Sequence, residues 1–193
     1  MRILIIGDTH AQDDIFLRVL SKERGSEALH IGSGPQGSDV PDAVNEPHRL
    51  DAHHTGSGPQ GFDVLLHTGD FEGSEIVYRE LCGTPFYYIA GNNDFFTEAP
   101  FERVIELESC RIYMTHGHLY NTEHLPPLMD GDILLHGHTH VPACEDHGTY
   151  LYMNPGSVAI PKEGTPRGYM MLEGTRFTWK TLEGEVYRDF DLG

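Results

Sequence analysis

The sequence predicts an α/β fold in which two β-sheets pack together, one of them mostly parallel, with helices outside. Three observations carry that prediction. Five short apolar runs each end in a cluster of polar residues and glycine. None of these runs alternates apolar with polar residues, which is the pattern of strands buried on both faces. Amphipathic helical stretches separate some of the runs, and hairpin patterns follow the last.

The first run, "RILIIGDTH" (2–10), leads into "DDIFLRVLSKERG". There Asp13 or Asp14 is a candidate cap, Ile15, Phe16, Val19 and Leu20 recur at helical spacing, and Gly25 is a stop signal. The second run, "DVLLHTGD" (63–70), precedes "SEIVYRELCG", a shorter helix predicted to start at Ser74 and end at Gly83. "PFYYIAGNND" (85–94), "RIYMTHGH" (111–118) and "DILLHGHTH" (132–140) complete the set of apolar runs. Beyond them "VPACEDHGTYLYMN" reads as a hairpin turning at His147–Gly148, and "GYMMLEGTRFTWKTLE" as one turning at Gly174.

With 193 residues the chain suits a single domain, 1–193. One stretch interrupts it. Residues 26–61 are rich in glycine, serine and proline, and they contain "HIGSGPQGSDV" and its near-copy "HTGSGPQGFDV". Two copies cannot build a solenoid, so an inserted surface loop is expected, carrying His30, His48, His53 and His54.

Composition narrows the function classes. Hydrophobic residues make up 38% and charged residues 22%, as in soluble globular chains. No apolar run approaches a membrane span, and the N-terminus lacks the regions of a signal peptide. Cys82, Cys110 and Cys144 share no spacing motif, which fits reduced thiols and a cytoplasmic location. Thirty acidic against thirteen basic residues give a formal charge of −17. Such a surface repels phosphate backbones, so neither nucleic-acid nor membrane binding is expected. Any phosphate bound here needs local positive charge, and a metal ion is one source. A homo-oligomer stays open.

The polar clusters carry the chemistry. Asp8 and His10 follow the first run two positions apart, so in extended chain they point the same way. Asp70 follows the second run, Asn92 the third and His116 the fourth. His138 and His140 follow the fifth, where alternation aims both at one point. If the strands are parallel neighbours, all seven side chains meet at one rim, where open α/β sheets place ligand sites. Carboxylate, imidazole and amide donors without thiolate suit Mn²⁺, Fe²⁺, Zn²⁺, Co²⁺ or Ni²⁺. Seven ligands exceed the needs of one open catalytic ion, but two ions sharing a carboxylate use them well. Asp70 is then the bridge, with Asp8, His10 and His140 on one ion and Asn92, His116 and His138 on the other. Such a pair polarises phosphoryl oxygens and holds a water as hydroxide near neutral pH. His67 and His136 exceed what two ions need and are expected to support ligands or pack.

Taken in order, D-x-H, G-D, G-N-x-D, H-G-H and G-H-x-H resemble the calcineurin-like metallophosphoesterase superfamily. "GDTH", "MNPGSVAIPK" (153–162) and the small size resemble its compact bacterial and archaeal phosphodiesterase branch. The resemblance covers the chain apart from the insert. It implies a four-layer α/β/β/α sandwich, two divalent metals with Mn²⁺ as first choice, and hydrolysis of a small phosphodiester. It also implies that Ser157 and the backbone of 154–157 line the substrate edge. Many relatives carry histidine after the motif asparagine as proton donor to the leaving group. This chain has Asn93 there, and a neutral amide cannot serve as a general acid. The catalytic candidates are thus Asn93 by position and His118, two residues past His116, by chemistry. Asp94 is expected to support a ligand. Two competing readings are a protein-binding scaffold like the retromer subunit that resembles this family, and a phosphomonoesterase or dinucleoside polyphosphate hydrolase.

Overall fold

A computed structural model describes residues 1–25, 47–50 and 61–193. The five apolar runs all form strands: β1 (Arg2–Ile6), β3 (Val64–His67), β4 (Phe86–Tyr88), β6 (Arg111–Thr115) and β7 (Asp132–Leu135). The other strands are β2 (His48–Arg49), β5 (Glu102–Glu106), β8 (Ala143–Asp146), β9 (Tyr150–Asn154), β10 (Gly168–Glu173), β11 (Arg176–Thr181) and β12 (Val186–Asp191). Two helices, α1 (Asp13–Arg24) and α2 (Glu75–Cys82), complete the described elements. None is long and apolar enough to cross a membrane.

Two six-stranded mixed sheets result, ordered β12-β11-β10-β1-β3-β4 and β2-β5-β6-β7-β9-β8. β1, β3 and β4 run parallel in the first, and β6, β7 and β9 run parallel in the second. The five site-bearing strands are therefore divided between two sheets rather than lying as neighbours in one. Because the sheets pack face to face, their carboxyl ends still share one rim.

Strand alternation divides the core in two. Ile3 and Ile5 of β1 point between the sheets, with Leu66, Met114, Leu135 and Trp179. Leu4 and Ile6 point the other way, onto Phe16, Val19 and Leu20 of α1 and Tyr78 and Cys82 of α2. Each fully buried Leu or Ile contributes about 1.5–3 kcal/mol. Buried Glu23 anchors α1, accepting from Tyr169 Oη at 2.6 Å and pairing with Lys180 and Arg2. Gly25 and Gly83 follow the two helices with positive φ, as the sequence predicts. Ser74 precedes α2 as expected. At α1 the cap position is Gln12, one residue before Asp13, and neither position makes a side-chain cap bond.

Both described helices lie on the first sheet. The outer face of the second sheet (Leu134, Tyr150, Tyr152) packs against Leu128 from the irregular segment 116–131. Pro126 and Pro127 stand in that segment, and proline in a helix interior removes a donor and clashes with the preceding turn. The hairpins turn at His147–Gly148 and at Gly174, as expected. Within 26–61, residues 47–50 and 61 are described. β2 pairs in parallel with β5, and Leu50 is buried in the inter-sheet core. This part of the stretch is sheet edge rather than loop. The rest, including His30, His53 and His54, lies outside the described residues.

Candidate metal centre

Backbone conformation marks the site before any side chain does. Asp8 (φ 52°), His10 (46°), Asp70 (55°), His138 (62°) and His140 (63°) all occupy the left-handed region, as does Glu72 (51°). For residues other than glycine this costs about 1–2 kcal/mol each, and such strain persists where surrounding structure over-determines it. Asp8 with His10, and His138 with His140, therefore do not meet by extended-chain alternation. Tight loops beyond the strand ends aim them. The loops after β1 and β3 are tied together by His10 N–H to the Asp70 carbonyl (3.0 Å) and Ala11 N–H to the Phe71 carbonyl (2.9 Å).

Three imidazoles share one orientation. His116 Nδ1 lies 2.8 Å from the Thr68 carbonyl, His140 Nδ1 2.6 Å from the Ile160 carbonyl, and His10 Nδ1 2.5 Å from the Glu72 carboxylate. These partners only accept, so Nδ1 carries a proton and Nε2 is the atom turned toward the cluster. At His116 burial lowers the ring's pKa, but Asp70 and Asp8 raise it overall, so a cation there must displace the Nε2 proton. All three Nε2 atoms face the same interior. His140 Nε2 is 3.3 Å from His10 Nε2 and 3.4 Å from Asp8 Oδ1. His116 Nε2 is 3.1 Å from Asn92 Oδ1 and 3.4 Å from Asp70 Oδ2. Among the described residues three sets have mutually close donor atoms, all within 4.8 Å: Asp8, His10 and His140; Asp8, Asp70 and His116; and His10, Asp70 and Glu72. His138 belongs to none of them. It stands exposed at the rim with its ring centroid 5.1 Å from that of His116, and its backbone N–H donates to Asp8 Oδ1.

Burial pushes the Asp8 carboxyl up to about 7, against the attraction of His116. Asp70 differs. Burial raises it too, but His116 and two N–H donors of Asn93 hold it well below the usual carboxylate range. In metal-free protein Asp8 thus keeps its proton near neutrality, and a cation must displace it. Metal affinity is expected to fall about tenfold per pH unit below 7, as calorimetric titration at pH 6 and 8 would measure. The folded state binds the Asp8 proton more tightly than the unfolded one, so Asp8's own contribution to metal-free stability falls as pH rises from about 4 toward about 7. Buried His67 and His136, whose pKa values burial lowers to about 3 and about 4, contribute with the opposite sign over most of that range.

The supporting residues take distinct roles. Asp94 accepts from the backbone N–H groups of Asp70 (2.8 Å), Glu72 (2.7 Å) and Gly91 (2.8 Å), fixing two ligand loops with one carboxylate. His67 is fully buried. Its Nδ1 accepts from Gly69 N–H, so Nε2–H faces Thr9 Oγ1 at 3.2 Å and bridges the loops after β1 and β3. Burial drives its pKa down to about 3, keeping it neutral. Asn93 donates to Asp70 through backbone N–H (2.9 Å) and Nδ2 (2.7 Å), orienting a carboxylate from the position where a proton donor was sought. Asn93→Ala is expected to weaken metal binding by about 10–100-fold, read by equilibrium dialysis. His118 lies beside the cluster, 5.4 Å from the His116 ring. His147 is exposed in its hairpin turn. Ser157 departs from expectation: it is fully buried, donates to the Asp8 carbonyl (2.9 Å) and accepts from two N–H groups, so it shapes the Asp8 loop and lines no substrate edge. Glu72 escaped the sequence reading, its only signal being its position two residues past Asp70.

A divalent cation fits this donor set. Asp8 Oδ2 is buried without a hydrogen-bond partner among the described residues, an arrangement that a bound cation would satisfy. The Nε2 atoms of the three rings, unprotonated when a cation binds, and the two carboxylates supply the remaining donors.

Comparison with known proteins agrees. Residues 1–176 match the calcineurin-like phosphoesterase superfamily domain. A 75-residue stretch, 39% of this chain, is 49% identical to phosphodiesterase YfcE of Escherichia coli and spans 40% of that relative's length. A probable metallophosphoesterase of Methanothermobacter thermautotrophicus is 29% identical over 161 residues, 79% of this chain and 85% of its own. The structure of YfcE, described as a phosphoesterase, superposes over all of both chains with a TM-score of 0.73 and 25% identity. Zinc-complexed Vps29 of Entamoeba histolytica shares the fold over all of both chains, at a TM-score of 0.59 and 21% identity. The crossed loops of two sheets, their inward imidazoles and the match over 176 residues lead to one assignment: this chain belongs to the calcineurin-like phosphoesterase superfamily, a family that works with divalent metal ions.

Proposed function

We propose that this protein is a phosphodiesterase using two divalent cations, Mn²⁺ by preference, held by Asp8, His10, Asp70, Asn92, His116, His138 and His140. One observation carries the reading: three histidines donate Nδ1–H outward and turn Nε2 toward two buried carboxylates, one with an unsatisfied oxygen. Asp70 belongs to one close set with His10 and to another with His116, as a carboxylate shared by two ions must. Bound ions would supply Lewis acidity toward the phosphoryl oxygens and acidify water. The chain's own residues hold that machinery rigid: Asp94 fixes the backbone under Asp70, Asn93 its carboxylate, and Glu72 the ring of His10. A protein-binding scaffold has no use for five ligand candidates kept in strained backbone.

His118 is the donor we assign to the leaving group. His118→Ala is expected to slow diesters of poor leaving groups about 100-fold, while p-nitrophenolate esters change little. A plot of rate against leaving-group pKa reads this directly. The reading as a whole is tested with bis(p-nitrophenyl) phosphate and p-nitrophenyl phosphate, with and without Mn²⁺. Metal-dependent preference for the diester is expected. Preference for the monoester, or turnover indifferent to metal and chelator, would contradict it.

A further inference from the structure

The loop that crosses from β4 in the first sheet to β5 in the second carries Asn92 and Asn93, and it also holds three exposed phenylalanines, Phe95, Phe96 and Phe101. Phe101 is the one whose surroundings give it a role. Ile105 of β5 lies in the core between the sheets, and alternation along the strand sets Phe101 on that same face. β5 pairs with β6 through Glu102 and Thr115. Phe101 stands one step beyond that pair, as His116 does on β6. Pro100 ties the position down, its carbonyl accepting from Ala90 N–H at 2.8 Å.

The Phe101 ring meets the His118 ring at 5.9 Å between centroids, tilted by 68°. His118 in turn lies 5.4 Å from His116 and 6.5 Å from His138. Yet 54% of Phe101 stays exposed. A large apolar ring on the core-facing side of its strand is thus left uncovered at the rim where the ligand candidates gather. What covers it follows from its place. A phosphodiester has two ester arms, and a phosphoryl group held at the cluster sends them out across the rim. On the side of His116 and His118 an arm meets Phe101. An aromatic arm gains a ring-to-ring contact and buries apolar surface there, whereas a methyl group gains little of either.

We propose that Phe101 is a specificity-determining residue that selects diesters carrying an aromatic ester group. The inference rests on the phosphodiesterase reading for the phosphoryl end of the ligand, while binding is measured apart from hydrolysis. Diphenyl phosphate and dimethyl phosphate isolate the feature, because they carry the same single charge and differ only in their arms. Their affinities for the full-length, Mn²⁺-loaded protein are read by calorimetry, and again as competitive inhibition of bis(p-nitrophenyl) phosphate turnover.

Diphenyl phosphate is expected to bind about tenfold tighter than dimethyl phosphate. Phe101→Ala should bring the two affinities close together, and so should Phe101→Gln, which keeps a long side chain without the ring. Phe101→Trp should keep the preference. With bis(p-nitrophenyl) phosphate the loss in Phe101→Ala should appear in KM rather than in kcat. Equal affinities in the unsubstituted protein, binding of neither phosphate, a preference that survives both Phe101→Ala and Phe101→Gln, or one that Phe101→Trp also abolishes would each overturn the proposal. A protein that hydrolyses diesters yet binds both phosphates equally sinks only the aromatic wall. One that discriminates in calorimetry yet hydrolyses nothing sinks only the activity.

Discussion

Asp70→Asn should lower kcat/KM by at least about 1,000-fold, equivalent to about 4 kcal/mol, and should leave less than one metal ion per chain. The substitution removes the charge that both halves of the cluster share. It also puts an NH₂ where an oxygen now accepts from Asn93, whose N–H groups at 2.9 and 2.7 Å have no other use for it. Two donors then face each other, and the side chain must rotate away. The loop itself should hold, because Asp94 grips the Asp70 backbone rather than its carboxylate. Circular dichroism of metal-free protein should therefore resemble wild type, while its melting temperature should fall, because the Asn93 donors lose a carboxylate acceptor. A variant retaining full activity would refute Asp70 as the shared ligand.

Gly91→Ala alters no ligand, yet the expected damage is comparable. A Cβ at Gly91 would lie 2.0 Å from Asp70 Oδ1 and 2.4 Å from the Asp70 nitrogen. Neither backbone can withdraw, since both N–H groups are held by the same Asp94 oxygen. Overpacking of this kind costs about 1–3 kcal/mol of stability. Displacing the carboxylate by about 1 Å is expected to cost at least about 100-fold in rate. Gly83→Ala supplies the control. That glycine also has a positive φ, 54°, but nothing lies within 4 Å of its would-be Cβ, so it should lose about 1 kcal/mol and keep full activity. Melting curves and turnover on bis(p-nitrophenyl) phosphate separate the two cases.

Much of this was legible in the residues, for identifiable reasons. β1, β3, β6 and β7 are continuous apolar runs because each is covered on both faces, and burial leaves a strong signature. The ligand candidates were legible because each follows such a run. β5 was not: "ERVIE" is only partly buried and reads as a charged segment until β6 pairs with it. β2 has two residues inside a glycine- and proline-rich stretch, too short for any periodicity, and its pairing with β5 is a tertiary event. The division of the strands between two sheets was equally hidden, since an apolar run does not declare its neighbours. Ser157 was misplaced because a motif gives order along the chain and not depth. Glu72 and the Thr68 and Ile160 carbonyls were missed because their contribution is to hold a ring nitrogen, a contact that exists only after folding.

The central claim is that side chains scattered from position 8 to position 140 surround a pair of cations. Crystals of the protein soaked in Mn²⁺ and measured at the manganese absorption edge test it most directly. Two anomalous peaks about 3.5–4 Å apart, flanking the Asp70 carboxylate with Asp8, His10 and His140 on one side and Asn92, His116 and His138 on the other, are the predicted result. A single peak, or manganese bound away from Asp70, would contradict the account.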